Sequence, residues 1–137
     1  MKSESPLGKT ATLLVQQELE KFGETKGVTS AVLLTSDGFE VAALKMDKES
    51  ASKLAAMGSS LAAIGSAIAK EASLKECSRL IVESEEGVVA VMEVPNVTPP
   101  MSLAVVANDA SILGQLLWAA KNCCLGLEKK LKELITA

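Results

Sequence analysis

The chain has 137 residues, a hydrophobic content of 48%, a formal charge of −3 and no histidine. That is long and apolar enough for one domain with a core of its own, and it excludes disorder. Phe22, Phe39 and Trp118 are the only aromatic residues, so no stacking, basic surface for nucleic acid is expected, and an anionic membrane surface is equally unsuited.

The segment after Lys2 is Ser3-Glu4-Ser5 rather than an apolar stretch, so no secretory signal is expected. Ser5-Pro6 has the form of a helix start, a capping side chain followed by proline at the first helical position. Leu7, Ala11, Leu14, Val15, Leu19 and Phe22 then make an apolar stripe, and Gly23 and Gly27 end the helix. Gly8-Lys9-Thr10 resembles the end of a phosphate-binding loop, but Ser3 stands where its first glycine belongs and no strand precedes it. The cradle of backbone N–H groups cannot form there.

Val28 to Thr35 predicts a strand, and its run Ala31-Val32-Leu33-Leu34 suggests cover on both faces. Ser36-Asp37-Gly38 turns the chain, and Phe39 to Leu44 returns as a second strand. Asp47 and Ser50 are alternative caps for the helix that follows.

That helix, Ala51 to Ala72, carries two stripes. Leu54, Met57, Leu61, Ile64 and Ile68 share a narrow sector that predicts a core-facing side. Ala51, Ala55, Gly58, Ala62, Gly65, Ala69 and Ala72 recur at steps of four and three beside it. Alanine alone could reflect helix propensity, but Gly58 and Gly65 each weaken a helix by about 1 kcal/mol relative to Ala and both fall on this stripe. The expectation is a close helix-to-helix contact with a second copy of the chain. A membrane span is not expected, because the uncharged run between Lys53 and Lys70 is short and contains Ser59, Ser60 and Ser66.

Cys77 to Ser84 predicts a strand at a sheet margin, with Arg79 and Glu83 interrupting its apolar residues. Glu85-Glu86-Gly87 turns the chain into Val88 to Val94, an inner strand. Pro95 to Pro100 is a loop, and Met101 to Ala107 is the last strand. Asn108-Asp109 then cap a long helix whose seam is Leu113, Leu117, Ala120, Cys124, Leu127, Leu131 and Leu134. Trp118 falls off that seam and either covers its rim or marks a partner contact.

The fold class expected is therefore α+β, in the order αββαβββα, with an antiparallel sheet and helices on both faces. Cys77, Cys123 and Cys124 are odd in number and lack C-x-x-C spacing, which suits a reduced cytosol, and the chain is expected to be cytoplasmic. Cys123 and Cys124 are expected as buried small hydrophobes. Asp37, Glu83, Glu85 and Glu86 cluster at turns, where solvation explains them, and Ser59 and Ser60 have no base nearby in sequence. No catalytic residue, metal site or cofactor is expected.

Gly27 to Ala42, the Ala/Gly-rich helix, the Leu80-Ile81-Val82-Glu83 strand and the junction from Ala107 to Gly114 together resemble the Roadblock/LC7 family. The resemblance spans residues 27–135, with residues 1–26 as a helical extension like that of bacterial MglB-like members. It implies one Roadblock/LC7-like domain with a five-stranded antiparallel sheet, the middle helix on one face and the other two helices on the opposite face. It further implies a homodimer joined along the third strands, at Cys77, Arg79, Ile81 and Glu83, and along the middle helices, at Ala51, Ala55, Gly58, Ala62, Gly65 and Ala69. The function implied is regulation of a small Ras-like GTPase, MglA-like in bacteria, docked on Ser52, Lys53, Ala56, Ser59, Ser60 and Ala63. The regulator would have no catalytic site of its own. The rival reading is a dimeric scaffold or adaptor subunit, in the manner of dynein light chains and lysosomal anchoring complexes.

Overall fold

Ala31, Val32, Leu33 and Leu34 are all fully buried, and a strand whose successive side chains are all buried must have a layer on each face. The structure, a computed structural model, describes residues 8–136. It runs α1 (Lys9–Phe22), β1 (Val28–Thr35), β2 (Glu40–Leu44), α2 (Lys48–Glu71), β3 (Arg79–Ser84), β4 (Gly87–Val94), β5 (Met101–Ala107), a 3-10 turn at Ala110–Ile112, and α3 (Leu113–Thr136). The five strands form one antiparallel sheet in the order β2-β1-β5-β4-β3. This is the α+β architecture that the sequence order predicts.

Alternation along the strands sorts the core into two layers. Ala31 and Leu33 of β1, with Ala90 and Met92 of β4, pack with Val15, Leu19 and Phe22 of α1 and Leu116, Cys124 and Leu127 of α3. Val32, Leu34, Val91 and Ala104 point the other way, onto Ala51 and Ala55 of α2.

The ends of the elements follow local chemistry. Gly38, at φ +92°, closes the β1–β2 turn, where the Asp37 carboxylate accepts from the Thr35 hydroxyl at 2.6 Å. Of the two candidate caps for α2, Asp47 is the one used, its side chain accepting from the Ser50 amide at 2.8 Å. Asp109 accepts from the Ser111 amide at 2.9 Å and so opens the 3-10 turn rather than α3 itself. Gly8, in extended conformation, precedes α1; the expected start at Ser5-Pro6 lies outside the described residues.

The two stripes of α2 exchange the roles expected of them. Ala51, Ala55, Gly58, Gly65 and Ala69 are buried, and what they face is the chain's own sheet. A Cβ on Gly58 would lie 3.1 Å from Leu34 Cδ2, and one on Gly65 would lie 2.8 Å from Leu80 Cδ2 and 2.9 Å from Cys77 Sγ. The stripe is small because the helix axis sits close to the sheet, where full-sized leucines of β1 and β3 already fill the gap. These five residues are therefore taken up by packing within the chain, and Ala62, on the same stripe, is half-buried. The expected core side is correspondingly open: Leu54 and Leu61 are half-buried, but Met57, Ile64 and Ile68 are 62%, 54% and 61% exposed.

Candidate functional site

The exposed apolar flank of α2 overhangs one margin of the sheet. Leu61 and Ile68 line a depression together with Gly65, Leu80 and Val82, so the flank and β3 form one continuous surface. Val82 is 50% exposed, and Ile81 and Leu74 are exposed as well. Each is already partly buried, so covering the rest of any one of them would stabilise an assembly by about 1–2 kcal/mol. A contiguous apolar patch of this kind marks a contact surface rather than scattered exposure.

The two margins of the sheet are treated differently. At β2, the α1 side chain Gln16 donates through Nε2 to the Ala43 carbonyl at 3.0 Å, and Lys45 Nζ reaches the Gly23 carbonyl at 3.2 Å. These bonds tie that margin to α1. At β3, the strand pairs only with β4, and alternate residues of an antiparallel edge turn their N–H and C=O groups outward. Apart from the Cys77 thiol on the Arg79 carbonyl, no partner for them is seen among the described residues, which leaves a template for another strand.

The expected interface residues thus divide. Arg79, Ile81 and Glu83 lie on the open strand and are exposed. Cys77 precedes the strand, half-buried, its thiol donating to the Arg79 carbonyl at 3.5 Å. Of the six small residues of α2, Ala51, Ala55, Gly58, Gly65 and Ala69 lie beneath the helix and Ala62 is half-buried; the large apolar side chains exposed on this surface are Met57, Ile64, Ile68 and Val82. The available signal was the pair of stripes itself: of two neighbouring stripes, the glycine-bearing one has to face whatever is packed most tightly.

Of the expected docking residues, Ser52, Ala56, Ser59, Ser60 and Ala63 lie round the other flank of α2, whereas Lys53, four residues before Met57, borders the apolar one. Ser52, Lys53, Ala56, Ser60 and Ala63 are exposed, and Ser59 is half-buried. Ser59 donates to the Ala56 carbonyl at 3.0 Å, and Gly38 of the β1–β2 turn approaches it so closely that a Cβ there would lie 3.1 Å from Ser59 Oγ. Lys53 is held by Glu49 at 3.1 Å. The flank of Ser52, Ala56, Ser60 and Ala63 presents small uncharged side chains, which suit shape matching more than charge recognition.

The Roadblock/LC7 domain model matches residues 14–107, from the middle of α1 to the end of β5. A Roadblock/LC7 domain from Streptomyces avermitilis superposes with a TM-score of 0.71 at 23% identity, covering 89% of this chain and 98% of that one. The gliding protein MglB from Thermus thermophilus gives 0.81 at 19% identity, covering 97% and 99%. Myxococcus xanthus MglB gives 0.80 at 14% identity, covering 93% and 95%. At these identities the superpositions establish the fold. No curated protein matches the chain, and no described helix is long and apolar enough to cross a membrane.

Proposed function

Because this chain belongs to the Roadblock/LC7 domain family, we propose that it is a regulatory protein that dimerises through β3 and the apolar flank of α2 and, as a dimer, binds a small Ras-like GTPase and modulates its GTP hydrolysis. The observation that carries the dimer is the continuity of an open edge strand with an exposed apolar helix flank: Ile68 lines one depression with Val82, and Ile64 and Met57 continue the same sector of the helix. Pairing β3 with its copy satisfies the free backbone groups, and the same approach buries the flank of one α2 against its twin.

Charge supplies the register. An antiparallel pairing centred on Ile81 sets Arg79 opposite Glu83 of the second copy, twice by symmetry, and opposite charges in directly facing positions favour a pairing by about 0.2–1 kcal/mol each. Shifting the register by two residues sets Arg79 opposite Ile81 in one direction and, in the other, opposite Glu85, beyond the end of the strand at Ser84.

The GTPase reading rests on family resemblance and on the exposed surface that the paired helices would share, Ser52, Ala56, Ser60 and Ala63 on one flank of each, with Lys53 bordering Met57. Regulation would proceed by reshaping the GTPase, since Arg79, the single arginine of the chain, is engaged at the seam. The test is single-turnover GTP hydrolysis by Ras-like GTPases of the same genome, with and without this protein, alongside sedimentation of the mixture. A changed rate with a complex supports the proposal. A complex with no change assigns the chain to the adaptor role, and neither complex nor change rejects GTPase regulation.

A further inference from the structure

On the face of the sheet opposite α2, α1 and α3 enclose a groove of about 540 Å³. Its floor is Ala119, Cys123 and Gly126 of α3, residues kept small because α1 lies close: a Cβ on Gly126 would come within 2.6 Å of Glu18 Oε2. Trp118 stands at the groove's lip and is 71% exposed. An indole left in water on a helix otherwise well packed contributes nothing to this chain's own core, and tryptophan at the edge of a pocket is the residue type most enriched among energetically dominant contacts.

The charges around the groove give its sign. Lys21 on α1 is engaged by Glu18 at 3.5 Å. Lys129 and Lys130 also line the groove, and neither forms an ion pair among the described residues. Glu133 is the one other carboxylate on the rim. Along α3 as a whole, Lys121, Lys129, Lys130 and Lys132 stand against Glu128 and Glu133, and Glu128 is already taken by Lys132 at 2.8 Å and Asn96 at 3.0 Å. A chain of net charge −3 thus places a cationic excess on the helix that carries its exposed tryptophan.

We propose that this groove binds an acidic, amphipathic segment of another protein, a bulky apolar side chain resting on Trp118 and carboxylates reaching Lys129 and Lys130. Glu133 stands on the same rim as Lys129 and Lys130, which disfavours a flat, uniformly anionic surface such as a membrane or a nucleic acid relative to a segment whose carboxylates can be placed to avoid it. No residue of the groove lies on β3 or α2, so the site stays open in the proposed dimer and stands independently of the GTPase reading.

The chain has one tryptophan and no tyrosine, so its fluorescence reports Trp118 alone. The full chain is titrated with a synthetic helical peptide of repeating Leu-Glu-Glu-Leu, with its counterpart bearing Lys for Glu, with phosphatidylserine vesicles and with single-stranded RNA. The expected result is a saturable blue shift with the acidic peptide, weakened about tenfold (about 1.4 kcal/mol) in Lys129→Glu/Lys130→Glu, and loss of labelled-peptide binding in Trp118→Ala. If the charge-reversed chain does not fold, Lys129→Gln/Lys130→Gln and a salt titration make the same comparison. Emission unmoved by the acidic peptide, moved equally by the lysine peptide, or moved more by vesicles or RNA overturns the proposal.

Discussion

Leu34 Cδ2 lies 3.1 Å from the position that a Cβ on Gly58 would take, and Leu34 is itself fully buried in β1. The helix therefore rests on the sheet through a glycine, and bulk added there has nowhere to go. Gly58→Leu is predicted to lower unfolding stability by at least about 2 kcal/mol, through overpacking that the gain in helix propensity cannot offset. Met57→Lys with Ile64→Lys, on the exposed flank, is predicted to alter the monomer by no more than about 0.5 kcal/mol. Urea denaturation at concentrations low enough to hold the monomer separates the two. A destabilised Met57/Ile64 variant beside an unperturbed Gly58 variant would reverse the assignment of the two faces.

How the sequence signals its fold differs between elements. The strands were legible because short apolar runs end at turn residues: β1 and β5 have the predicted limits, and β3 begins two residues later than expected, at Arg79. The facing of α2 was not legible. Its small stripe is compatible with another helix or with a sheet, and only the positions of Leu34 and Leu80, residues distant in sequence, decide between them. Trp118 off the α3 seam was likewise ambiguous, because periodicity locates a side chain on a helix without saying whether α1 extends far enough to cover it.

The proposed seam predicts a charge swap. Arg79→Glu places like charges opposite each other twice and should raise the dimer dissociation constant about tenfold, roughly 1.4 kcal/mol. Adding Glu83→Arg restores the opposition with signs exchanged and should recover most of that loss. Sedimentation equilibrium reads both variants, and a double variant as weak as the single one would show that the register is not centred on Ile81.

Stability is predicted to fall in acid through helix caps. The Ser50 backbone amide and side chain hold the Asp47 carboxyl below its ordinary value of 3.8. The Ser111 side chain and amide do the same for Asp109, as Lys132 and then Asn96 do for Glu128, whose ordinary value is 4.5. Groups with depressed folded-state values stabilise fully above their unfolded values and lose that contribution as pH falls through the folded ones. Thermal melts should therefore be flat from neutral pH to about 5 and drop below about 4. Asp47→Asn, which can still accept from the Ser50 amide but carries no charge, should show a shallower drop; an equally steep one would assign the acid sensitivity to other groups.

Thiol reactivity should divide the cysteines. Burial, reinforced by the Glu18 carboxylate, pushes Cys123 up to about 12. Burial and the neighbouring Cys123 push Cys124 up to about 12 as well. At pH 8 neither presents thiolate, whereas Cys77 is half-buried at the sheet margin. Iodoacetamide labelling read by mass should add one group to the native chain at Cys77 and three after unfolding. Rapid labelling of Cys123 or Cys124 in the native chain would mean that α3 opens from the sheet.

The surface formed by β3 and the flank of α2 is tested most directly by light scattering of the purified chain across a dilution series, alongside Met57→Lys/Ile64→Lys. The expected result is a mass of about twice the 14.3 kDa chain for the unaltered protein and a single-chain mass for the variant, with unchanged circular dichroism. A 14.3 kDa particle at every concentration of the unaltered protein, or a dimer that survives both lysines, would contradict it.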